Sequence, residues 1–392
     1  MLKKLVGASV PLLAAVTAFF FGAIMLVALG ANPFEGFQAM LEGAFGSGER
    51  IATTAVRATP LILVGAGISI AFRARVINIG GESQIIAGAL LSTVLALNAP
   101  DLPAILLVPL VLATGAVGGF LAGAVPGLLK AHAHVNEILS TIMLNLIMVQ
   151  FMNYLLGGPL IDPLQTSAGT FIPQTERLSD NAALPTLVSG TRLHLGVPVA
   201  VLAAVAAFVL LWKTPLGFRL RAVGHNADAA KAAGINVKRH ITYALAISGS
   251  FGGLAGSILV FGSEGQRMVT DGSAAGFTGS AGFNGIVAAL FGGLHPLWTI
   301  PSAFLFGALL TGAVQLQRVL QVPASLAVTI NGIVVLFVIS SAKLRGYIEG
   351  RIADRVTESE EPPDDPGPLA DVAIGSLDDP IQNPIDSSDG VV

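Results

Sequence analysis

The sequence lacks cysteine and has few charged residues. None of its 392 residues is Cys, so disulfide bonds, thiolate metal sites and cysteine nucleophiles are excluded. Only 11% of the residues are charged, whereas a soluble domain carries about 25%. Hydrophobic residues make up 53% of the chain. This composition excludes an ordinary soluble globular protein and indicates a membrane protein.

The sequence also lacks the residue patterns of phosphate-binding loops and metal sites. It contains no Gly-Lys dipeptide, so a loop of the Gly-x-x-x-x-Gly-Lys-Ser/Thr type is excluded. His132 and His134 have only Glu137 nearby at a spacing suited to metal binding, and we expect no metal site there. We therefore expect a chain that is not an enzyme and binds no cofactor. Any ATP hydrolysis has to occur on another polypeptide.

Charge is distributed unevenly along the chain. Residues 351–392 contain eleven Asp and Glu but two Arg, which leaves 13 acidic and 19 basic residues in 1–350. We expect 1–350 to form a membrane domain and 351–392 to be an acidic, proline-rich, disordered cytoplasmic tail. The basic residues are scattered between apolar runs, which favours contact with anionic membrane lipid over nucleic acid.

Apolar runs predict an all-α, multi-pass membrane protein. A bilayer core requires about 20 apolar residues per helix. Convincing runs lie at 5–30, 104–129, 138–157, 196–212, 241–262, 297–316 and 325–342. Weaker runs lie at 52–72, 84–98 and 277–294. Together they predict about ten transmembrane helices.

The basic residues predict the orientation of these helices. With the N-terminus inside, ten spans place fifteen of the 21 Lys and Arg on the cytoplasmic side. Both termini are then cytoplasmic. The polar segment 158–195 falls outside, and the segment 213–240 falls inside.

The cytoplasmic segment contains a short helix with both ends specified. Asn226 can cap it, Asp228 suits its positive end, and Gly234 can take the left-handed conformation that ends it. An ordinary loop helix is one interpretation. A docking surface for another protein is the sharper one, because the helix presents a smooth face of Ala229, Ala230, Ala232 and Ala233.

Two interrupted segments place polar groups at membrane depth. The first, NIGGESQ at 78–84, contains Asn78, Glu82 and Gln84 at the start of a predicted span. The second, GFNGI at 282–286, contains Asn284. Polar groups are costly in lipid, and paired interruptions in two halves of a chain are typical of transporter sites. The similarity between the two segments is too weak to establish an internal repeat.

A third polar cluster lies along the predicted span at 138–157. Thr141 and Asn145 share one helical stripe, and Asn136 and Glu137 precede it. This stripe has two possible roles. It can line a polar cavity, or it can form hydrogen bonds between helices, each of which contributes about 0.6–2 kcal/mol. Glu137 is a candidate proton carrier, although its place beside Lys130 favours a structural role at the cytoplasmic edge.

These segments resemble a family of membrane transport proteins. NIGGESQ (78–84), NEILSTIMLN (136–145) and GFNGI (282–286) are similar to the inner-membrane permeases of bacterial ATP-binding cassette (ABC) importers for ribose, nucleosides and branched-chain amino acids. The resemblance covers roughly 50–345, and the 136–145 run points to the simple-sugar or nucleoside subgroup. Ser83 stands where Gly is common, and Asn284 where an acidic residue is common. The acidic tail has no counterpart.

The resemblance implies a location in the bacterial inner membrane, a function and a set of partners. Two permease subunits, identical or paralogous, would form the path for a nucleoside or simple sugar that an extracellular binding protein delivers. Cytoplasmic ATPases, which bind the ATP and Mg, would dock on a coupling loop that includes Asp228, Ala229, Ala230, Gly234 and Ile235. The expected substrate-pathway residues are Asn78, Glu82, Gln84, Asn136, Glu137, Thr141, Asn145 and Asn284.

One alternative comes from a different class of transporter. A proton-coupled secondary transporter of a small polar solute could use Glu82 or Glu137 to carry the proton. It would need no ATPase, so the helix at 226–234 would have no partner. A membrane scaffold or channel explains the predicted spans but leaves the paired interruptions unexplained.

Overall fold

The computed structural model describes residues 17, 20–28, 30–99, 101–167, 172–262, 265–322, 329, 332 and 333. The start of the first predicted span, most of the span predicted at 325–342 and the predicted tail at 351–392 lie outside this part. The regular secondary structure of the described residues is helical and includes no β-strand, which confirms the predicted fold class.

Fourteen α-helices follow one another along the described chain. They are α1 (Phe20–Ala28), α2 (Pro33–Phe45), α3 (Gly48–Arg73), α4 (Gly81–Asn98), α5 (Ala104–Ala133), α6 (Glu137–Leu156), α7 (Pro163–Ser167), α8 (Gly196–Lys213), α9 (Pro215–His225), α10 (Ala227–Ala232), α11 (Val237–Phe261), α12 (Ala274–Thr278), α13 (Ala281–Phe291) and α14 (Pro296–Leu320).

Six of these helices are long and apolar enough to cross a membrane by themselves. They are α3, α5, α6, α8, α11 and α14. The pair α1 and α2, bent by 116°, makes a seventh if the two form one broken span. The described residues therefore supply six or seven candidate spans, and the predicted count of ten is not established.

The span predicted at 277–294 is not a single helix. Gly279 and Ser280 both have left-handed backbone conformations, with φ of 60° and 59°, and they separate α12 from α13. At about 1.5 Å per residue, the 11 residues of α13 extend only about 16 Å, roughly half of a bilayer core. The interruption predicted for this segment is therefore confirmed, and its reading as one of ten spans is not established.

Glycines let α5 and α11 pack backbone against backbone. A Cβ atom added to Gly119 would lie 2.1 Å from the carbonyl oxygen of Gly249, and the reciprocal addition gives the same distance. Gly253 approaches Gly115 and Gly119 in the same way. Small residues permit such close approach between helices, which packing in a membrane requires. These contacts fix α11 in the centre of the bundle.

Burial separates inner from outer helices. Most of α3 and α11 is buried, whereas less than a third of α6 and of α8 is buried. The exposed side chains of α6 and α8 include Leu146, Ile147, Phe151, Leu202 and Val209. An apolar exposed face suits contact with lipid tails or with another membrane subunit.

The segment predicted to lie outside, 158–195, is mostly irregular. It holds the short helix α7 and a 3-10 turn at Asp180–Ala182. Backbone hydrogen bonds from Thr175 to Met268 and from Leu178 to Gln266 tie it to the chain after α11. A buried ion pair between Asp162 and Arg267, 3.1 Å long, holds the same two segments together.

Candidate functional site

The chain leading into α4 is held by a buried side-chain network. Asn78 donates to Ser248 Oγ at 2.8 Å and to Gln84 Oε1 at 3.1 Å. Its Oδ1 accepts from Gln84 Nε2 at 3.1 Å and from the backbone N–H of Gly80 at 2.9 Å. Both donors and both acceptor positions of the Asn78 amide are thus filled. In this conformation Asn78 and Gln84 bind each other rather than a solute.

Asn145 of α6 caps α4 from outside that helix. Gly80, the residue before α4, has no side chain to cap it. Asn145 Oδ1 instead accepts from the backbone N–H of Ser83 at 2.9 Å, and its Nδ2 donates to the carbonyl of Ile79 at 3.0 Å. One turn earlier Thr141 packs on Gly80, where an added Cβ would lie 3.2 Å from the Thr141 Cβ. Of the two roles considered for this stripe, cavity lining and hydrogen bonding between helices, the structure shows hydrogen bonding for Asn145.

The N-terminal ends of α4 and α13 meet at paired glycines. A Cβ added to Gly81 would lie 2.9 Å from the Gly282 Cα, and one added to Gly282 would lie 2.5 Å from the Glu82 backbone nitrogen. A helix N-terminus carries about half a positive charge, so two abutting ends repel each other unless an anion lies between them.

Glu82 supplies the anion at this junction. Its carboxylate is 1% exposed, and Oε1 accepts from the backbone N–H of Phe283 in α13 at 3.2 Å. Ser280, the residue before α13, makes no capping bond through its side chain. Oε2 is buried and has no hydrogen-bond partner among the described residues. One carboxylate thus serves two helix ends and retains an unused acceptor.

Asn284 lies on α13 close to this junction but is less constrained. Its side chain is half-buried and forms no hydrogen bond with a described residue. The neighbouring Phe283 side chain is 48% exposed. Asn78, Glu82, Gln84, Thr141 and Asn145 are brought together around the start of α4, with Asn284 beyond the junction. Their role in a substrate pathway stays a prediction.

Asn136 and Glu137 lie in a different part of the molecule. Asn136 caps α6 by accepting from Ile138 at 2.8 Å, and Glu137 forms an ion pair with Lys130 at the end of α5. Both line a cavity of about 750 Å³ that also includes Asp228 and Lys231. These two residues therefore adjoin the predicted coupling loop, which fits a structural role for Glu137 at this edge.

The predicted capped helix is present as α10. Asn226 Oδ1 accepts from the backbone N–H groups of Asp228 and Ala229, each at 3.0 Å. The helix ends with Gly234 at φ of 80°, after which Ile235 donates to the Ala230 carbonyl at 2.9 Å. This confirms the capping predicted for Asn226 and Gly234.

The outer face of α10 is open to a partner. The predicted face of small residues is confirmed for Ala229, Ala232 and Ala233, which are exposed together with Asp228 and Gly234. It is wrong for Ala230, which is buried. Ile235 is half-buried and lines grooves on both sides of the loop. An exposed, rigid helix between two grooves is a suitable docking element, and its docking role stays a prediction.

One residue of the α4 network was not predicted from the sequence. Ser248 lies on α11, 170 residues from Asn78, and is 2% exposed. The only local signal is its place in a run of small residues, Ser248-Gly249-Ser250. Such runs are common in membrane helices, so the pattern does not distinguish Ser248 from its neighbours.

Known proteins resemble the chain over most of its length. Residues 50–339 match the family described as the permease component of branched-chain amino acid transport systems. The guanosine ABC transporter permease protein NupP of Bacillus subtilis (strain 168) is 35% identical over 358 residues, which are 90% of this chain and 98% of that protein.

Two further relatives extend the comparison. The nucleoside ABC transporter permease protein NupB of Lactococcus lactis subsp. cremoris (strain MG1363) is 35% identical over 78% of this chain and 83% of its own. The glucose ABC transporter permease protein TsgB13 of Haloferax volcanii is 34% identical over 88% of this chain and 90% of its own. No solved structure shows significant similarity.

Proposed function

Since the chain belongs to the permease component family of branched-chain amino acid transport systems, we propose that it forms the translocation path for a nucleoside or simple sugar in an ABC importer. The named functions of NupP, NupB and TsgB13 support both substrate classes. The chain is accordingly a multi-pass protein of the cell membrane and a transport subunit. The proton-coupled alternative is not adopted, because these relatives are ABC transporter permeases.

The observation that carries the proposal is the junction of α4 and α13 at Glu82. The breaks in the chain before α4 and before α13 bring the N-terminal ends of these two helices together. Backbone N–H groups at such ends favour polar or anionic groups of a solute. The unused Oε2 of Glu82 can accept a hydrogen bond from a hydroxyl group such as those of ribose or a hexose. Because Glu82 is buried, a solute reaches it only after the helices move, as alternating access requires.

A continuous set of contacts links this junction to α10. Asn236, just after the α10 segment, caps α11 by accepting from the backbone N–H of Arg239 at 3.1 Å. Twelve residues after Asn236, about 18 Å at 1.5 Å per residue, Ser248 accepts a hydrogen bond from Asn78 at 2.8 Å. Movement of α10 therefore displaces α11 and, through Ser248, the start of α4.

The proposed partners act at the two regions that these contacts connect, α10 and the junction of α4 and α13. A cytoplasmic ATPase, which binds the ATP and Mg, docks on α10. A second permease subunit, identical or paralogous, completes the path, and an extracellular binding protein delivers the solute. Because delivery selects the solute, the affinity of the permease itself is expected to be weak. In this arrangement the chain crosses the membrane ten times, with both termini and the 351–392 tail in the cytoplasm.

ATP-dependent uptake tests this function. The chain, with the ATPase, second permease and binding protein that co-purify with it, is reconstituted in vesicles that enclose ATP or a non-hydrolysable analogue. We expect uptake of labelled guanosine or glucose with ATP only. Uptake that proceeds without ATP and follows an imposed pH gradient would contradict the proposal and favour the proton-coupled carrier.

A further inference from the structure

Two arginines and a histidine surround Trp212 near the end of α8. The Arg73 Cζ lies 5.4 Å from the centre of the Trp212 ring, and the Arg221 Cζ lies 5.9 Å from it. The His295 ring is 4.8 Å from the same ring. Arg73 ends α3, Arg221 lies on α9, and His295 precedes α14, so three separate elements converge on Trp212.

The positive charge of this cluster is not compensated within the described part of the chain. Arg73 and Arg221 form no ion pair with a described residue. Arg73 donates only to the neutral carbonyl of Leu294, at 3.3 Å. Arg221 Nε and His295 Nδ1 are buried and have no hydrogen-bond partner among the described residues.

The sequence explains why no carboxylate from these segments lies beside Arg73 and Arg221. The segments that build the cluster contain no Asp or Glu over residues 50–81, 181–227 and 272–300. Half-buried guanidinium groups without a counter-ion are unfavourable. Planar guanidinium groups also match the geometry of phosphate. An external anion would therefore satisfy the cluster.

Tryptophan places the cluster at the level of lipid headgroups. The chain has only two Trp, and both lie at this end of the bundle. Trp298 follows His295 by three residues and is 68% exposed. Tryptophan is enriched where hydrocarbon meets headgroups. On α9, Phe218 is 61% exposed beside the exposed Arg219, as in helices that lie in the membrane interface.

An apolar track runs along α8 toward Trp212. Leu202, Val205 and Val209 are exposed and recur at helical spacing, so they lie on one face of α8. That face can accommodate an acyl chain whose headgroup lies at Trp212. Free phosphate would contact only the cations. A phospholipid would contact the cations through its headgroup and the apolar face of α8 through an acyl chain.

We propose that Arg73 and Arg221, stacked on Trp212, bind the phosphate of an anionic phospholipid in the leaflet around this end of the bundle. The proposal rests on the membrane location of the chain and not on the solute that it transports. It predicts binding whether or not the chain transports nucleosides, so the two proposals fail separately.

Native mass spectrometry of the purified full chain tests the proposal. Phosphatidylglycerol and phosphatidylcholine of identical acyl chains are added in turn, and inorganic phosphate is added in a third arm. One cation near a membrane surface contributes about a five-fold gain in affinity. We expect Arg221→Gln to weaken phosphatidylglycerol binding about 5-fold, and Arg73→Gln with Arg221→Gln to weaken it about 25-fold.

The controls separate this site from general charge attraction and from unfolding. Arg75→Gln with Lys238→Gln removes two exposed cations that do not stack on Trp212, and this variant should bind phosphatidylglycerol as the wild type does. Arg221→Gln breaks no described hydrogen bond, and size-exclusion chromatography checks that it stays folded. Equal binding of the two lipids, equal losses in both double variants, or displacement of the lipid by equimolar inorganic phosphate would overturn the proposal.

Discussion

Asn145 caps a helix to which it does not belong: its Oδ1 accepts the backbone N–H of Ser83, in the first turn of α4, at 2.9 Å. The two residues are 62 positions apart in sequence. Through this bond α6 determines where α4 begins, and hence where Glu82 lies. The polar residues of α6 therefore act on the candidate site by positioning it.

Removing this cap should destabilise the protein. Asn145→Ala leaves the backbone N–H of Ser83 and the carbonyl of Ile79 unpaired, at a cost of about 1–3 kcal/mol. We expect a lower midpoint of thermal unfolding in detergent. Asn98→Ala, which removes an exposed amide bonded only within α4, should change the midpoint little. Equal midpoints for Asn145→Ala and the wild type would show that the cap does not stabilise α4.

Neutralising Glu82 should impair transport. Glu82→Gln keeps the size of the side chain and one acceptor but removes the charge that two helix ends share. Each helix-end interaction is worth about 0.3–2 kcal/mol, so we expect reduced stability and a large loss of uptake. Glu176→Gln, which neutralises an exposed carboxylate in the 158–195 segment, is the control. Unchanged uptake by Glu82→Gln at every pH would remove Glu82 from the site.

A methyl group should not be tolerated between α5 and α11. Gly119→Ala places a Cβ 2.1 Å from the Gly249 carbonyl oxygen, so the two helices have to separate. We expect aggregation or a strongly reduced yield of monodisperse protein on size-exclusion chromatography. Gly48→Ala, where nothing lies within 4 Å of the added atom, should behave as the wild type. A monodisperse, fully stable Gly119→Ala protein would contradict the close packing.

Acidification should destabilise the 158–195 segment through His194. Burial lowers the pKa of His194, and its Nδ1 accepts the backbone N–H of Gly196 at 3.1 Å. The unfolded chain takes up a proton near pH 6.5 while the folded chain does not, so stability is complete above that pH and falls below it. We expect the melting temperature to decrease between about pH 7 and pH 5.

Variants identify the residue responsible for this pH dependence. His194→Gln does not titrate and should show a smaller decrease in melting temperature over the same range. His225→Gln removes an exposed histidine at the end of α9 and should leave the decrease as it is in the wild type. An identical pH dependence in all three proteins would exclude His194 as its cause.

Hydropathy located the long helices because each contains about 20 mostly apolar residues. It missed where several of them start, because polar residues can be helical outside the membrane. The run predicted at 241–262 belongs to α11, which begins at Val237 because Asn236 caps it. Hydropathy also missed α2, since Pro33 and the sharp bend after α1 separate it from the first run.

Sequence patterns found the polar residues of the candidate site but not their partners. Capping of α10 is local, so Asn226 and Gly234 were predictable from nearby residues alone. The contacts of Asn78 with Ser248 and of Gly81 with Gly282 join distant parts of the chain. Only packing of the whole bundle determines them, and for this reason Asn136 and Glu137 were grouped with residues that lie elsewhere.

We propose that α10 couples this permease to an ATPase, and the Gly234→Arg variant is the sharpest test of that coupling. Gly234 and Gly190 both have left-handed backbones, with φ of 80° and 77°, and nothing lies within 4 Å of a Cβ at either position. Gly234→Arg and Gly190→Arg therefore impose the same strain, one beside α10 and one in the 158–195 segment.

Each protein is purified in mild detergent, and the ATPase activity and identity of the co-purifying chains are measured. We predict that an ATPase co-purifies with the wild type and with Gly190→Arg but is lost from Gly234→Arg, although all three insert into the membrane. Recovery of the ATPase with Gly234→Arg at the wild-type level would show that the ATPase does not dock at α10.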